Sequence, residues 1–225
     1  MLRLAVFDVD GTLVDSRATI LQAAVEAAET LGLTPPDYEA VRQIVGLSLH
    51  EAIRQMEPGL TDAELADYVA EFQKAFSRMH QVPGFKEPLY AGAMEMVHRL
   101  KAEGWLLGIA TGNSRRGVQR LLDNHDWHRV FDTAWCADDG PGKPHPHMLE
   151  GAMRSVGVDP DVTVMIGDTS HDMKMAVAAK TRAQGVSWGF HTPDEVLSGG
   201  AHHLAGDFDT LMTALDDWAA GLRLR

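Results

Sequence analysis

Three short apolar runs constrain this chain most, because each ends on a side chain that can do chemistry. Leu4–Phe7 (LAVF) stops at Asp8, residues 106–110 (LLGIA) stop at Thr111, and residues 162–166 (VTVMI) stop at Gly167 and Asp168. Apolar runs of this length, without polar alternation, fit strands buried on both faces, as in a parallel sheet. Helical patterns lie between them. Ala93, Met96, Val97 and Leu100 repeat at helical spacing before Gly104, and Ser114 is placed to cap a helix running toward Leu122. Residues 146–156 and 171–179 are expected to form two more helices. Alternating strand and helix predicts an α/β doubly wound parallel sheet, a Rossmann-like core.

Residues 17–85 follow a different pattern. Ile20, Ala23, Ala24, Ala27, Ala28 and Leu31 form one helical stripe, and Leu65, Tyr68, Val69, Phe72, Ala75, Phe76 and Met79 form another. Both stripes are expected to be core packing. Thr61 with Glu64 three residues later is a capping-box pattern for the second helix. No strand-like run interrupts the segment, and LVDS (13–16) and VPGFKEP (82–88) bound it as linkers. The expected division is an α/β core of residues 1–16 and 86–225 with an inserted all-helical module of residues 17–85.

Charge and cysteine content exclude several function classes. The formal net charge of −12 repels phosphate backbones and anionic membranes, which argues against nucleic-acid or membrane partners. A small anionic ligand would need a local cation. The single cysteine, Cys136, rules out an intrachain disulfide and a cysteine-based zinc site. No apolar stretch reaches the roughly 18 residues of a membrane-spanning helix. The N-terminal run is too short for a signal peptide and has Asp8 and Asp10 directly behind it. A soluble, cytoplasmic monomer or homodimer is expected.

Ligands of open α/β sheets bind beyond the carboxyl ends of the strands. Asp8, Thr111 and Asp168 stand there, with Asp10 and Asp172 two and four residues after Asp8 and Asp168. Up to four carboxylates would share one crevice, and like charges that close need compensation. A hard divalent cation with oxygen ligands supplies it, and Mg²⁺ is the usual choice where phosphate is also bound.

The motifs Asp8-Val9-Asp10-Gly11-Thr12, Thr111 in IATGN, Lys143 in GKPHP and Gly167-Asp168-Thr169-Ser170-His171-Asp172 occur in that order. Together they resemble the four motifs of the haloacid dehalogenase-like hydrolases, and the chain is similar to the phosphoglycolate phosphatase-like branch with a helical cap. The resemblance implies that Asp8 is a nucleophile forming an aspartyl-phosphate. Asp10 would be the general acid and base, its backbone carbonyl joining Asp8 and Asp168 around Mg²⁺. Asp172 would sit in or next to the metal's ligand shell. Thr111, Gly112 and Asn113 would bind phosphate oxygens, and Lys143 would neutralise Asp8 and the transferring group. The implied activity is hydrolysis of a small phosphorylated metabolite, with phosphoglycolate the first substrate to consider. A pyrophosphatase and a phosphosugar mutase share the motifs. A 2-haloacid dehalogenase fits less well, because that chemistry lacks the second acid at the position of Asp10. A non-enzymatic receiver-type signalling domain leaves the helical insert unexplained.

Other features carry less. Gly142-Lys143 is not a P-loop, since Ala137 and Pro144 stand where that motif needs Gly and Ser or Thr. The close pairs His145/His147 and His202/His203 read as solvated loop residues. Cys136 reads as a buried strand residue, and His171 as a helix-start residue. The turn Gly46-Leu47-Ser48 is the candidate loop of the helical module facing the crevice.

Overall fold

A computed structural model describes residues 2–222. The strands are β1 (Leu4–Phe7), β2 (Leu106–Thr111), β3 (Thr133–Cys136), β4 (Thr163–Gly167), β5 (Arg182–Val186) and β6 (His203–Ala205). They form one sheet in the order β3-β2-β1-β4-β5-β6, with every neighbouring pair parallel. The three apolar runs are the three adjacent central strands β2, β1 and β4. β1 shows why they read as continuous runs. Ala5 and Phe7 pack into the core on one face with Leu211 and Leu215, while Leu4 and Val6 pack on the other with Met148 and Met173. Successive side chains of a strand point to opposite faces, so a strand covered on both sides must be apolar throughout.

The outer strands do not read that way. β5 is RAQGV and β6 is three residues long, so neither presents the apolar run that marks a strand in the sequence.

The helices over the sheet are α5 (Ala93–Ala102), α6 (Arg115–His125), α7 (His147–Val156), α8 (Ser170–Ala178), α9 (Pro193–Ser198) and α10 (Phe208–Leu222). Ser114 accepts from Gly117 N at the start of α6, as its capping pattern predicts. Between β1 and β2 the chain makes α1 (Arg17–Thr30), α2 (Tyr38–Arg42), α3 (Leu49–Met56) and α4 (Asp62–His80). Thr61 and Glu64 form the expected capping box at α4. Ala27, Ala28, Ile53, Leu65 and Tyr68 build a small core of their own, and the Tyr68 hydroxyl donates to the Ala24 carbonyl at 3.0 Å.

Both helical stripes pack on the cores of this segment, Val69 and Phe72 in the second and Ile20 in the first included, but each also turns residues toward a cavity. Leu65, Tyr68 and Ala75 are buried, but Val69, Phe72 and Phe76 are only half-buried and line a cavity above the sheet. An apolar stripe at helical spacing marks a face turned away from bulk water, and a roofed cavity satisfies that as well as a packed core does.

The two linkers of this helical segment run side by side. Asp15 N donates to the Pro88 carbonyl at 2.8 Å and Tyr90 N to the Leu13 carbonyl at 3.0 Å, with an antiparallel bridge between Val14 and Leu89. A third attachment lies further out. Arg42 pairs with Glu195 at 2.8 Å, and His171 Nε2 meets the Gln43 carbonyl at 3.1 Å. His171 is thus a helix-start residue that also holds the helical segment to the core. Among the described residues no helix is long and apolar enough to cross a membrane.

Candidate active site

Parallel pairing puts the carboxyl ends of β1, β2 and β4 at one edge, with β1 between the other two. The chain reverses direction across the sheet here, since β2 and β4 flank β1 on opposite sides, and such a switch point leaves a crevice. Asp8, Thr111 and Asp168 stand at that edge and are almost wholly buried. Gly11 lets the chain turn sharply behind Asp8. Its φ is +88°, and a Cβ there would overlap the Asp168 carboxylate. Thr12 donates to Asp168 Oδ1 at 2.8 Å, and Phe190 N donates to Oδ2 at 2.8 Å, so Asp168 is held from two sides.

Lys143 enters from the loop before α7 and is fully buried. Its Nζ lies 2.7 Å from Asp8 Oδ1 and 2.6 Å from Asp172 Oδ1. Asp172 Oδ2 accepts from Thr169 N at 3.1 Å and Thr169 Oγ1 at 2.7 Å, as part of the capping box of α8. Both oxygens of Asp172 are therefore engaged, one orienting Lys143 and one fixing the helix start. Asp8 Oδ2, by contrast, is buried without a hydrogen-bond partner.

Asp8, Asp168 and Asp172 can bring one carboxylate oxygen each within 4.8 Å of one another. Three carboxylates face one ammonium, so the buried charge does not balance. Burial and the neighbouring Asp172 and Asp168 hold Asp8 well above the usual carboxylate range, although Lys143 pulls the other way. Burial, then Asp172, pushes Asp168 up to about 7. Burial alone would lower Lys143, but Asp172 and Asp8 outweigh it and keep the ammonium firmly charged. The unpartnered Asp8 oxygen and the uncompensated negative charge are what a divalent cation with oxygen ligands would satisfy.

Asp10 is placed differently. Its side chain is outside the three-carboxylate cluster and lines the cavity above the sheet. Burial, then Glu87, raises its pKa to about 6, against the lowering influence of Ser16, Lys143 and Arg120. A second cavity of about 20 Å³ lies beside it, lined by Asp10, Glu87 and Arg120 among others, with room for one water molecule. Thr111 Oγ1 accepts from Asn113 N at 3.2 Å, and Gly112 lies hard against the helical segment. A Cβ on Gly112 would run into the carbonyls of Gly46 and Leu47.

A model of the family described as haloacid dehalogenase-like hydrolase matches residues 5–186, a stretch that runs from within β1 to the end of β5. The chain belongs to the haloacid dehalogenase-like hydrolases. This hydrolase is 33% identical over 215 residues to "Probable phosphatase IndB" of Dickeya dadantii, covering 94% of this chain and 92% of that protein. It is 28% identical over 229 residues to a phosphoglycolate phosphatase of Pseudomonas putida, covering 99% and 83%. In fold it is similar to a hydrolase from Pseudomonas syringae, with a TM-score of 0.84 and 24% identity over 96% of this chain and 98% of that one.

The hydrolase thus gathers Asp8, Lys143, Asp168 and Asp172 into one buried cluster, with Asp10, Thr111, Gly112 and Asn113 around the cavity next to it. The turn Gly46-Leu47-Ser48 borders the same cavity. Cys136 is the last residue of β3 and is buried. His145, His202 and His203 are exposed, whereas His147 begins α7 and bonds to the Asp139 carbonyl. Three neighbours of the cluster were not foreseen: Glu87, Arg116 and Arg120. Arg116 and Arg120 stand one helical turn apart on α6 and both line the cavity. These are cations in reach of an anion bound there, which an acidic chain needs. Arg120 also lies 5.4 Å from the Phe76 ring centre. Their spacing alone would be that of any solvated helix face, so no sequence signal singled them out.

Proposed function

We propose that this hydrolase is a Mg²⁺-dependent phosphatase that cleaves a small phosphomonoester through an aspartyl-phosphate. The observation that carries the reading is the contact of Asp8 with Lys143 in a buried cluster, bordering a cavity that Asp10 and Thr111 also line. An Asp8 oxygen attacks phosphorus, the bond to the ester oxygen breaks, and the leaving oxygen takes the Asp10 proton. A water oxygen then attacks the aspartyl-phosphate at phosphorus and gives a proton back to Asp10. The acyl phosphate bond breaks, releasing inorganic phosphate and the Asp8 carboxylate. Thr111, Gly112 and Asn113 hold the phosphoryl oxygens, and Lys143 offsets their charge while remaining oriented by Asp172. Phosphoryl transfer asks mainly for positioning and charge stabilisation, and this set offers both.

Asp8, Asp168 and the Asp10 carbonyl would hold the Mg²⁺, with Asp172 next to it, committed to Lys143 and Thr169. When bound, the cation supplies positive charge to the phosphoryl group and cancels the repulsion among the carboxylates. Residues 17–85 act as a cap over the core formed by residues 1–16 and 86–225, excluding water and adding contacts to the alcohol part of the ester. A reading as dehalogenase is disfavoured by Asp10, which supplies the proton an alkoxide leaving group needs.

The test is hydrolysis of p-nitrophenyl phosphate with Mg²⁺, together with acid quench and mass spectrometry of the protein. A phosphoryl adduct on the Asp8 peptide, absent in Asp8→Asn, is expected. Turnover in Asp8→Asn at the wild-type rate would remove Asp8 as nucleophile.

A further inference from the structure

The cavity over Asp8 has a volume of about 1010 Å³, at the upper end of sites that enclose drug-sized ligands. Its floor is polar, with Asp8, Asp10 and Thr111. Its upper walls mix Gln73, Ser77 and Gln81 with a broad apolar face. Ile20, Val45, Ile53, Val69, Phe72 and Phe76 face it from the helical segment. Phe72 and Phe76 have near-parallel rings, 5.9 Å apart and 14° from coplanar. Both remain half-buried, as does Val69, so the helix presents apolar surface to this space.

The position of the reacting group decides which part of a substrate meets these walls. Lys143, Asp168 and Asp172 close the sheet side of Asp8 completely. An ester held at Asp8 would direct its leaving alcohol away from the sheet, into the chamber that Val69, Phe72 and Phe76 help to line. The cations on that part of the helical segment are already committed, Lys74 to Glu71 at 2.7 Å and Arg78 to Glu26. On the core side Arg116 and Arg120 line the same chamber, Arg120 with Glu87 and Asp10 nearby. A two-carbon acid would fill a small part of the chamber and leave its apolar walls wet.

Resting on the phosphatase reading, we propose that the substrate is the phosphate ester of a bulky, largely apolar, ring-bearing alcohol rather than a two-carbon acid such as phosphoglycolate. The ring lies against Phe72 and Phe76, and its burial supplies selectivity between alcohols that leave equally well.

Ethyl phosphate and 3-phenylpropyl phosphate test this, because both release primary alcohols and differ in the body that enters the chamber. In the Mg²⁺-loaded protein, kcat/KM for 3-phenylpropyl phosphate should exceed that for ethyl phosphate and for phosphoglycolate by at least about tenfold, as burial of one aromatic side chain would give. Ala70→Trp, which places an indole in the chamber from α4, should bring the ratio of the two alkyl esters down toward one. A ratio within one variant does not depend on how much of the protein is folded. A wild-type ratio near one, or a preference for phosphoglycolate, overturns the proposal. If no ester is hydrolysed, the phosphatase reading fails, and the chamber is judged by calorimetry with the two corresponding phosphonates. Tenfold tighter binding of 3-phenylpropylphosphonate than of ethylphosphonate sustains it, and equal affinity or no binding overturns it.

Discussion

The sheet edge and the chamber above it meet at Asp8 but are built on opposite principles. At the sheet edge nearly every polar atom is fixed by a second group. Asp168 is held by Thr12 and Phe190 N, Asp172 by Thr169, and Lys143 by two carboxylates. The chamber has half-exposed apolar walls and a roof joined to the core by Arg42–Glu195, His171 with Gln43, and the packing of Val41 and Val45 on Phe190. Chemistry that needs charge in a fixed place belongs to the first region. Discrimination by fit, with room for the roof to lift, belongs to the second.

If that division is right, damage at the edge should stop turnover, while damage above it should change affinity or selectivity. Asp8→Asn should give the largest effect, lowering kcat by roughly 10⁴-fold or more while circular dichroism stays that of the wild type. Removing metal with EDTA should also abolish activity, and Mg²⁺ should restore it. Ca²⁺ should substitute poorly, because its looser coordination misplaces the attacking carboxylate. The same titration read as thermal unfolding should show Mg²⁺ raising Tm, since it relieves repulsion among buried carboxylates, and Asp168→Asn should blunt that rise. Full activity in chelator would break the argument from the unbalanced charge.

Asp10→Asn should fall next, by about 10²–10⁴-fold, the usual worth of general acid–base help. With an aryl phosphate, whose leaving group needs no proton, phosphoenzyme should accumulate in rapid-quench experiments. Near-wild-type turnover with no trapped phosphoenzyme would leave Asp10 as a turn residue only.

Above the edge the expected effects are smaller. Arg42→Ala should raise KM more than it lowers kcat, because it loosens the roof and leaves Asp8 and Lys143 untouched. It also carries a pH dependence. Arg42, outweighing partial burial, holds Glu195 down at about 2, against an ordinary value of 4.5. A depressed carboxylate pKa contributes stability that is present above the unfolded value and lost as pH falls. The difference in Tm between wild type and Arg42→Ala should therefore shrink as pH drops from 4.5 toward 2. An unchanged difference across that window would remove the ion pair as a fastening of the roof. Thr61→Ala, far from the site, should cost only about 1 kcal/mol through loss of the α4 capping box, visible as a Tm lower by a few degrees with kinetics unaltered.

Much of the edge could be read from the chain because the signal is local. A strand buried on both faces must be an apolar run, and the first polar residue after it stands at the carboxyl edge. Asp8, Thr111 and Asp168 are legible on that ground. The capping box at Thr61 is equally short-range. Lys143 had no such signal and was read through the resemblance of its motif, since its partners Asp8 and Asp172 are distant in sequence. β5 and β6 were missed because a strand near the sheet margin can tolerate Arg, Gln and Gly.

What the amino-acid order determined by itself was the alternation of strand and helix, the inserted helical segment, and the oxygen-bearing residue at each strand end. These follow from backbone periodicity and from which side chains tolerate burial. Tertiary structure alone decided that Val69, Phe72 and Phe76 also line a chamber while Leu65 and Tyr68 on the same helix are wholly buried in a core. It alone brought Glu87 and Arg120 to Asp10, and Gly46 onto Gly112. The hydrophobic effect is non-directional and tells a side chain to leave water, whereas only the packed neighbours determine what, if anything, fills the space it faces.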